Sequence, residues 1–361
     1  MKQKKLIFIT GARPNLIKMA PIYHYIKKKS VFKISHLHTN QHNNKSLFFN
    51  QLSDLKLPFP NHLIKRKVFL SDIEMISYLT KEIFLNLKKI KPDVVILFGD
   101  VDSTLAAALA SSKLYIPIIH VESGLRSKRI NSKEEINRII TDRLSLINFA
   151  TTKNALKNLV KEGLKKKSFY VGNIIIENFY NLKNIIKKST IIKQLNLKEN
   201  NYVLVTLHRY QNIEKKEKLK KIISQIKTDI KKIKIVFCIH PRTKKIISLI
   251  DKSFFKQKNL IVIDALPYTS FTALLLAAKY ILTDSGGVLE EAYFHKKVCY
   301  VLRKDIERNQ FINNVNTFLI SDINKLQFKN IQNYKKQNRF TNMWDNKVSH
   351  RIFNVLKRVI N

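Results

Sequence analysis

Short, almost wholly apolar runs recur along the chain, with amphipathic helical segments between them. Four runs lie in the first half and five in the second: LIFIT, VVILF, PIIHV, INFATT, YVLVTL, IKIVFCIH, NLIVID, YILTDS and VCYVL. Runs of this kind are too apolar to be half exposed, and they are typical of parallel strands that helices cover on both faces. The pattern therefore predicts an α/β fold built from doubly wound sheets.

A lysine-rich stretch from Asn181 to Asn201 contains no glycine and separates the two series of runs. Stretches without strand-like periodicity between two such series are the natural place for a domain connection. We predict a first domain over residues 1–180 and a second over residues 181–341, facing each other across a cleft.

The charge balance of the chain is strongly basic. Its 67 Lys and Arg residues against 26 Asp and Glu residues give a formal net charge of +41. The lysines are scattered through nearly every segment, without the aromatic platform or arginine stripe that nucleic-acid binding uses. We interpret them as a compositional bias and predict no nucleic-acid partner, although the positive field favours anionic substrates.

Apolar runs also bear on location. No run approaches the ~18 residues that span a membrane, so we predict no membrane insertion and a cytoplasmic protein. The two cysteines, Cys238 and Cys299, lie in separate strand-like runs and lack metal-ligand spacing, which indicates core packing.

Notable polar residues follow the predicted strands. The segments after six of the runs are GARPN, GDVDS, ESGLR, LHRYQN, HPRT and DSGG, and six of the seven glycines lie in or beside such turns. Ligands bind at the carboxyl edge of open parallel sheets, where loops and helix amino termini converge. These segments are the candidate functional site.

The DSGG segment precedes a helical run and fits an anion site. Ser285 and the amides of Gly286 and Gly287 would hold a diphosphate, because glycines let the phosphate approach the backbone. One turn on, Glu290 and Glu291 are adjacent, so one of them would face ribose hydroxyls. The alternative is an ordinary capped helix start with acidic residues near its positive end.

Arg13 and Lys18 follow the first strand and would neutralise phosphate charge. Since lysine is abundant in this chain, the alternative for Lys18 is a solvated surface side chain.

Three carboxylates and one histidine also stand in or after strand-end turns: Asp100, Glu122, Glu134 and His208. Together they fit a general acid and base set. Glu134 alternatively opens a helix after the capping-box-like SKEE, and Asp100 alternatively caps a helix over STLAAALA. No metal-binding motif and no nucleophile elbow is present in the sequence.

These motifs, in this order, resemble the UDP-N-acetylglucosamine 2-epimerases of the non-hydrolysing type. The resemblance covers essentially the whole chain and is carried by GARPNLIKMAPI, HTNQH, LFGDVDSTLAAALA, HVESGLRS, EEINRIITDRLS, FYVGN, TLHRYQN, HPRT, LTDSGGVLEEA and LRKDIER. It implies a glycosyltransferase-B fold of two Rossmann-like domains, with a terminal helix at 342–361 packing back on the first domain. It also implies a homodimer that needs neither a metal nor a nicotinamide cofactor.

The implied activity is inversion at C2 between UDP-GlcNAc and UDP-ManNAc, through elimination and readdition of UDP, for surface polysaccharide synthesis. Carried over by motif, the catalytic residues are Asp100, Glu122, Glu134 and His208. The substrate-binding residues are Arg13, Lys18, Arg138, Phe271, Ser285, Gly286, Gly287, Glu291 and Arg308.

The sequence departs from the family pattern after the last strand-like runs. Ile306, Asn309 and Asn314 replace Thr, Pro and Gly near Arg308. Gln41 and His42 match a region that binds a second, activating UDP-GlcNAc in some bacterial members.

Two alternatives within the same fold remain. A hydrolysing epimerase would release free ManNAc and UDP, but such enzymes typically have Arg-Ala and no aligned lysine where this chain has Arg13-Pro14 and Lys18. A glycosyltransferase would require an acceptor.

Overall fold

The computed structural model describes residues 3–40, 45–127, 132–229, 231–304, 306–312, 316–323, 326 and 342–360. The chain divides into two units. The first unit comprises Met1–Asn181 and Asn338–Asn361, and the second comprises Leu182–Gln337.

The first unit contains a parallel sheet with the strand order β3-β2-β1-β4-β5-β6-β7. Its strands are β1 (Lys5–Thr10), β2 (Lys33–His38), β3 (His62–Leu63), β4 (Val94–Phe98), β5 (Ile118–Ser123), β6 (Ile147–Ala150) and β7 (Ser168–Tyr170). The chain builds outward from β1 to β3 and then returns to add β4 on the other side of β1. The strand order therefore reverses between β1 and β4.

The second unit repeats this design with the order β10-β9-β8-β11-β12-β13, again parallel throughout. Its strands are β8 (Tyr202–Thr206), β9 (Lys234–Cys238), β10 (Leu260–Ile263), β11 (Tyr280–Thr283), β12 (Val298–Val301) and β13 (Thr317–Leu319). Here the order reverses between β8 and β11.

Helices connect the strands in both units. In chain order they are α1 (Arg13–Lys29), α2 (Lys45–Asp54), α3 (Asp72–Ile90), α4 (Asp102–Lys113), α5 (Lys133–Leu144), α6 (Lys153–Lys161), α7 (Ile174–Lys187), α8 (Ile191–Gln194), α9 (Tyr210–Ile213), α10 (Lys216–Asp229), α11 (Pro241–Ile250), α12 (Tyr268–Ala277), α13 (Gly286–Phe294) and α14 (Val348–Ile360). Among the helices of the described residues, none is long and apolar enough to cross a membrane.

The central strands are buried along their whole length, as their composition predicts. All residues of β4 and of β8 are buried, because helices cover both faces of each sheet. In α3, Leu79, Ile83 and Leu87 recur every four residues and form the buried stripe of the helix, with Met75, Ile76 and Phe84 partly buried beside it. Ser71 caps this helix by accepting a hydrogen bond from the Glu74 amide at 3.3 Å.

The end of the chain packs within the first unit. The ring of Phe353 on α14 lies 5.5 Å from that of Tyr25 on α1, and Tyr25 Oη is 2.8 Å from His350 Nδ1. Just before α14, Trp344 is buried and its Nε1 donates to Thr151 O at 2.9 Å. These contacts fix the terminal helix against α1.

Candidate active site

The reversal of strand order between β1 and β4 is the kind of point where open parallel sheets bind ligands. Gly11 follows β1 and Gly99 follows β4. The side chain of Asn15 joins the two loops, because its oxygen accepts from the Gly11 amide at 3.2 Å and its Nδ2 donates to Phe98 O at 2.9 Å. The carboxyl ends of the two strands therefore form one connected surface.

Lys18 and Glu122 form a buried ion pair at this edge. Lys18 Nζ lies 2.9 Å from Glu122 Oε2, and the two residues are only 6% and 4% exposed. Gly99 has a φ of +64°, and a Cβ on it would lie 2.8 Å from Lys18 Nζ, so glycine is needed there for both reasons. The interpretation of Lys18 as a solvated surface lysine is wrong, since α1 directs it into the sheet edge.

Glu122 itself adopts an unusual backbone conformation. Its φ of +70° is in the left-handed region, which costs about 1–2 kcal/mol for a residue with a Cβ. Strained backbone of this kind persists where the surroundings hold it, and it concentrates at functional sites.

Asp100 is paired with a cation from a different element. Arg138 on α5 contacts the Asp100 carboxylate through Nη2 and donates to Glu135 Oε2 at 2.8 Å through Nη1. The helix-cap alternative for Asp100 is wrong, because the cap residue of α4 is Val101 and no side chain caps that helix. Arg138 instead positions the carboxylate of Asp100, and the backbone oxygen of Asp100 accepts a hydrogen bond from Asn137 Nδ2 at 2.9 Å.

Glu134 lies in the first turn of α5, whose cap residue is Ser132. The helix-start alternative therefore describes the backbone of Glu134 correctly. The charge of Glu134 also affects the pKa of a neighbouring carboxylate. Burial raises the pKa of Asp102, and the charges of Glu134 and Asp100 raise it further, while the amide of Asn137 opposes the change. Asp100 and Glu134 thus both act electrostatically on Asp102, a carboxylate that sequence reasoning missed.

A buried network connects the turns after β4 and β5. His120 Nδ1 lies 2.6 Å from Asp142 Oδ1, and its Nε2 lies 2.8 Å from Gly99 O. Asp142 Oδ2 accepts from Gly124 N at 3.1 Å and from Arg126 Nη2 at 2.7 Å. His120 and Asp142 are fully buried, so the network is shielded from water.

The ring of His120 is held between a carboxylate and a backbone carbonyl oxygen. Burial works against ionisation of Asp142, but hydrogen bonds and charges from His120 and Arg126 lower its pKa. A carbonyl oxygen can only accept, so Nε2 of His120 donates to Gly99 O. The available signal in the sequence was a histidine inside the apolar run PIIHV.

The second unit places its predicted residues at the corresponding reversal between β8 and β11. His208 follows the end of β8, and its side chain is 42% exposed. Asp284 follows β11 and is fully buried, with Oδ1 lying 3.2 Å from His208 Nδ1. Sequence reasoning missed Asp284, although it stands inside the DSGG segment.

The glycines of DSGG open α13. Ser285 is the cap residue, with Oγ accepting from the Val288 amide at 3.5 Å, and Gly286 and Gly287 begin the helix. A Cβ on Gly286 would overlap the guanidinium of Arg308, lying 2.9 Å from Cζ, whereas a Cβ on Gly287 meets nothing within 4 Å. The helix start thus has one glycine packed against a cation and one facing open space.

Arg308 is 5% exposed and is held between carboxylates. Its Nε lies 2.8 Å from Glu290 Oε1, and Nη1 contacts Glu307. Glu307 also pairs with Arg303 at 3.0 Å. The loop departures around Ile306 therefore leave Arg308 beside the amino terminus of α13, as its contact with Gly286 requires.

The two adjacent glutamates of α13 have different surroundings. Glu290 pairs with Arg308, whereas Glu291 accepts from Thr272 Oγ1 at 3.3 Å. Burial raises the pKa of Glu291 to about 8; the charge of Glu290 adds to the rise, and hydrogen bonds from Thr272 and Tyr268 oppose it. Glu291 is thereby placed next to the α12 segment that carries Phe271, the half-buried residue predicted near uracil.

The predicted residues therefore fall into two groups. The first unit carries Arg13, Lys18, Asp100, Glu122, Glu134 and Arg138, and the second carries His208, Phe271, Ser285, Gly286, Gly287, Glu291 and Arg308. Gln41, His42 and Asn314 lie outside the described residues. Within the part of the chain that the structure describes, no group of three or more His, Cys, Asp or Glu residues is arranged to hold a metal ion.

Comparison with known proteins gives a consistent result. A protein-family model described as UDP-N-acetylglucosamine 2-epimerase matches residues 24–357. The chain is similar to the UDP-N-acetylglucosamine 2-epimerase of Methanocaldococcus jannaschii, with 37% identity over 364 residues and 98% of each chain covered. It is also similar to the UDP-2,3-diacetamido-2,3-dideoxy-D-glucuronate 2-epimerase of Pseudomonas aeruginosa, with 34% identity over 313 residues and 84% of each chain covered.

Among solved structures, the chain is similar to Methanocaldococcus jannaschii UDP-GlcNAc 2-epimerase in complex with UDP-GlcNAc and UDP. The TM-score is 0.88 at 35% identity, over 98% of this chain and 99% of the other. Together with the two parallel sheets, this similarity confirms the predicted fold class, α/β with two Rossmann-like units of the glycosyltransferase-B type.

Proposed function

The chain belongs to the UDP-N-acetylglucosamine 2-epimerase family, and from that premise we propose that it interconverts UDP-GlcNAc and UDP-ManNAc. The proposed route is elimination of UDP to a 2-acetamidoglucal, followed by readdition of UDP. The product would supply ManNAc-type sugars for surface polysaccharide synthesis.

The reaction needs a base near C2 and groups that stabilise the negative charge of the departing UDP. In the elimination, a base takes the C2 proton, the C1–O bond breaks, and UDP leaves with the bonding electrons. In the readdition, a proton returns to the opposite face of C2 and UDP re-forms the C1–O bond. We propose that Asp100, Glu122, Glu134 and His208 form the proton-transfer group for these steps.

The departing diphosphate carries negative charge that donors and cations must stabilise. We propose that Ser285 and the amides of Gly286 and Gly287 bind it at the start of α13, where the helix end favours anions. Arg308 lies against this segment and adds charge. Arg13 and Lys18 are proposed to neutralise phosphate charge.

For the remaining substrate contacts, we propose that Glu291 binds the ribose hydroxyls and Phe271 lies near the uracil. Arg138 is proposed to act with Asp100, which it contacts directly.

The observation that carries the proposal is the arrangement at the carboxyl ends of β1, β4 and β5. There two carboxylates are each held by a buried cation, Glu122 by Lys18 at 2.9 Å and Asp100 by Arg138. Carboxylates held in this way are oriented before the substrate binds, as a reaction that depends on geometry requires.

We propose the non-hydrolysing outcome over the release of free ManNAc and UDP. Arg13-Pro14 and Lys18 support it, because hydrolysing enzymes typically lack the lysine at this position. The similarity to a 2-epimerase of UDP-2,3-diacetamido-2,3-dideoxy-D-glucuronate makes that nucleotide sugar the second substrate to test.

The test incubates the purified protein with either nucleotide sugar alone in deuterated water and follows the products by NMR. Deuterium at C2, with UDP-ManNAc accumulating to equilibrium, is the expected result with UDP-GlcNAc. Free ManNAc in stoichiometric amount would establish hydrolysis instead. Absence of turnover until an acceptor is added would favour a glycosyltransferase.

Variants connect the activity to the site. Asp100→Asn and His208→Ala should each lose turnover while the protein remains folded. Asp264→Asn is the matched control, because Asp264 also follows a strand of the second unit but is exposed, with Lys244 Nζ at 3.8 Å. Wild-type turnover in both site variants would refute the assignment.

We further propose that the enzyme acts in the cytoplasm as a homodimer. Exposed apolar side chains on the first unit, such as Val68 and Leu70, support self-association. Light scattering during gel filtration would measure the mass, and a monomer at working concentrations would contradict the dimer.

A further inference from the structure

Asp284 is a fully buried carboxylate that the proposed reaction does not yet use. It follows β11 directly, so it lies across the strand pair β8 and β11 from the loop that carries His208. Four donors converge on it. They are His208 N at 3.1 Å, Arg209 N at 3.0 Å, Asn212 Nδ2 at 2.9 Å and His208 Nδ1 at 3.2 Å.

These contacts hold both the backbone and the ring of His208. Hydrogen bonds from amides to an ionised carboxylate are about twice as strong as those between neutral groups, so the 208–209 backbone is firmly placed. The ring contacts Asp284 through Nδ1. Because the two nitrogens lie on different sides of an imidazole, the ring turns its Nε2 away from Asp284.

We propose that Asp284 is a positioning residue for His208, holding the proton on Nδ1 so that Nε2 exchanges a proton with the substrate. This inference rests on the proposed function. When His208 takes up a proton at Nε2, Nδ1–H stays in its hydrogen bond to Asp284, and the carboxylate stabilises the imidazolium that forms.

The position of Asp284 in the chain adds a second consequence. The next three residues, Ser285, Gly286 and Gly287, form the proposed diphosphate seat. Asp284 therefore links the position of the His208 ring to that of the bound diphosphate. A reaction that depends on near-attack geometry requires the two to be held at a set distance.

The first test uses the unaltered protein. Long-range ¹H–¹⁵N correlation spectra of histidine-labelled protein distinguish the two neutral tautomers, and the spectrum of His208→Gln identifies the His208 signals. At a pH where His208 is neutral, we expect the tautomer protonated at Nδ1. Finding the tautomer protonated at Nε2 would overturn the proposal, whether or not the protein epimerises UDP-GlcNAc.

The second test compares variants by turnover. In Asp284→Asn the amide offers one acceptor oxygen where four donors converge, so kcat should fall roughly 10²- to 10⁴-fold while KM changes much less. The tautomer signal of His208 should change as well. A wild-type kcat, or an unchanged tautomer, would refute the positioning role.

Asn212→Ala separates positioning from stability. It removes the Asn212 donor to Asp284 and the hydrogen bond to Leu302 O, but it leaves the contact between Asp284 and His208 in place. We expect lower thermal stability with an unchanged His208 tautomer and a loss of kcat far smaller than in Asp284→Asn. Equal losses of kcat in the two variants would show that Asp284 acts only through stability. Asp264→Asn should match the wild type in all three measurements.

Discussion

Replacing Gly286 with alanine should destabilise the second unit, whereas the same change at the neighbouring Gly287 should not. A Cβ at position 286 would lie 2.9 Å from Arg308 Cζ, closer than real Cβ contacts, and 3.0 Å from Glu307 Oε1, which is tighter than most of them. Arg308 cannot move aside cheaply, because it is buried and held by Glu290 and Glu307. At position 287 the added Cβ meets open space.

The magnitude follows from this contrast. Inserting a methyl group into a packed site costs about 1–3 kcal/mol, and displacing Arg308 would expose part of a buried ion-pair network as well. In the open position, replacing glycine by alanine stabilises a protein by about 0.4–1 kcal/mol through the unfolded chain. The two variants should therefore differ by about 1.4–4 kcal/mol in the free energy of unfolding. Each kcal/mol corresponds to about 2–4 °C in Tm for a domain of this size.

Two measurements check the reasoning. Scanning calorimetry should rank Gly287→Ala at or above the wild type and Gly286→Ala below it. Titration calorimetry with UDP should show weaker binding for Gly287→Ala, by about tenfold or more, because its methyl would occupy the proposed phosphate position. If Gly286→Ala unfolded at the same temperature as Gly287→Ala or at a higher one, the packing argument would be refuted. An unchanged affinity of Gly287→Ala for UDP would refute the proposed diphosphate site at the start of α13.

Further predictions concern buried charges. Glu291→Gln should remove a pH dependence of the free energy of unfolding. In the folded protein the pKa of Glu291 is about 8, above its ordinary value of 4.5, so the folded state binds more protons than the unfolded state between these values. The wild type therefore loses stability as the pH rises through this range. The Tm of Glu291→Gln relative to that of the wild type should rise as the pH increases across this range. A difference in Tm that does not change with pH would contradict the raised pKa of Glu291. His120→Leu should cost about 3–5 kcal/mol in denaturant unfolding, because it leaves Asp142 without one buried partner; a neutral effect would show that the contact with Asp142 contributes nothing to stability. Lys18→Met should cost a similar amount, and adding Glu122→Gln should recover part of it; strict additivity would show that the pair does not interact.

Sequence periodicity located the strands that are apolar on both faces. β4 and β8 are examples, since every residue in them is buried. It missed β2 (Lys33–His38), which mixes polar and apolar residues and is not buried in its first half, and the short edge strands β3, β7 and β13. Short or half-polar strands carry little local signal, because their formation depends on the pairing that a neighbouring strand offers.

The sequence also determined which residue types follow the strands, because glycine turns and helix caps are local properties. Ser285 caps α13 and Ser132 caps α5, both consistent with the local pattern alone. For Lys18 the local pattern allowed a surface side chain, and the structure instead gives a buried partner in Glu122.

Only the tertiary structure decided which charged side chains pair with one another. Lys18 finds Glu122, Arg138 finds Asp100, and His208 finds Asp284 across strands or helices that are far apart in the chain. Neighbours in a parallel sheet are separated by whole crossover helices, so sequence spacing carries no information on which polar ends meet. The sequence by itself therefore determined the fold class and the chemistry available at each strand end, and the order of strands in the two sheets decided which of these groups act on one another.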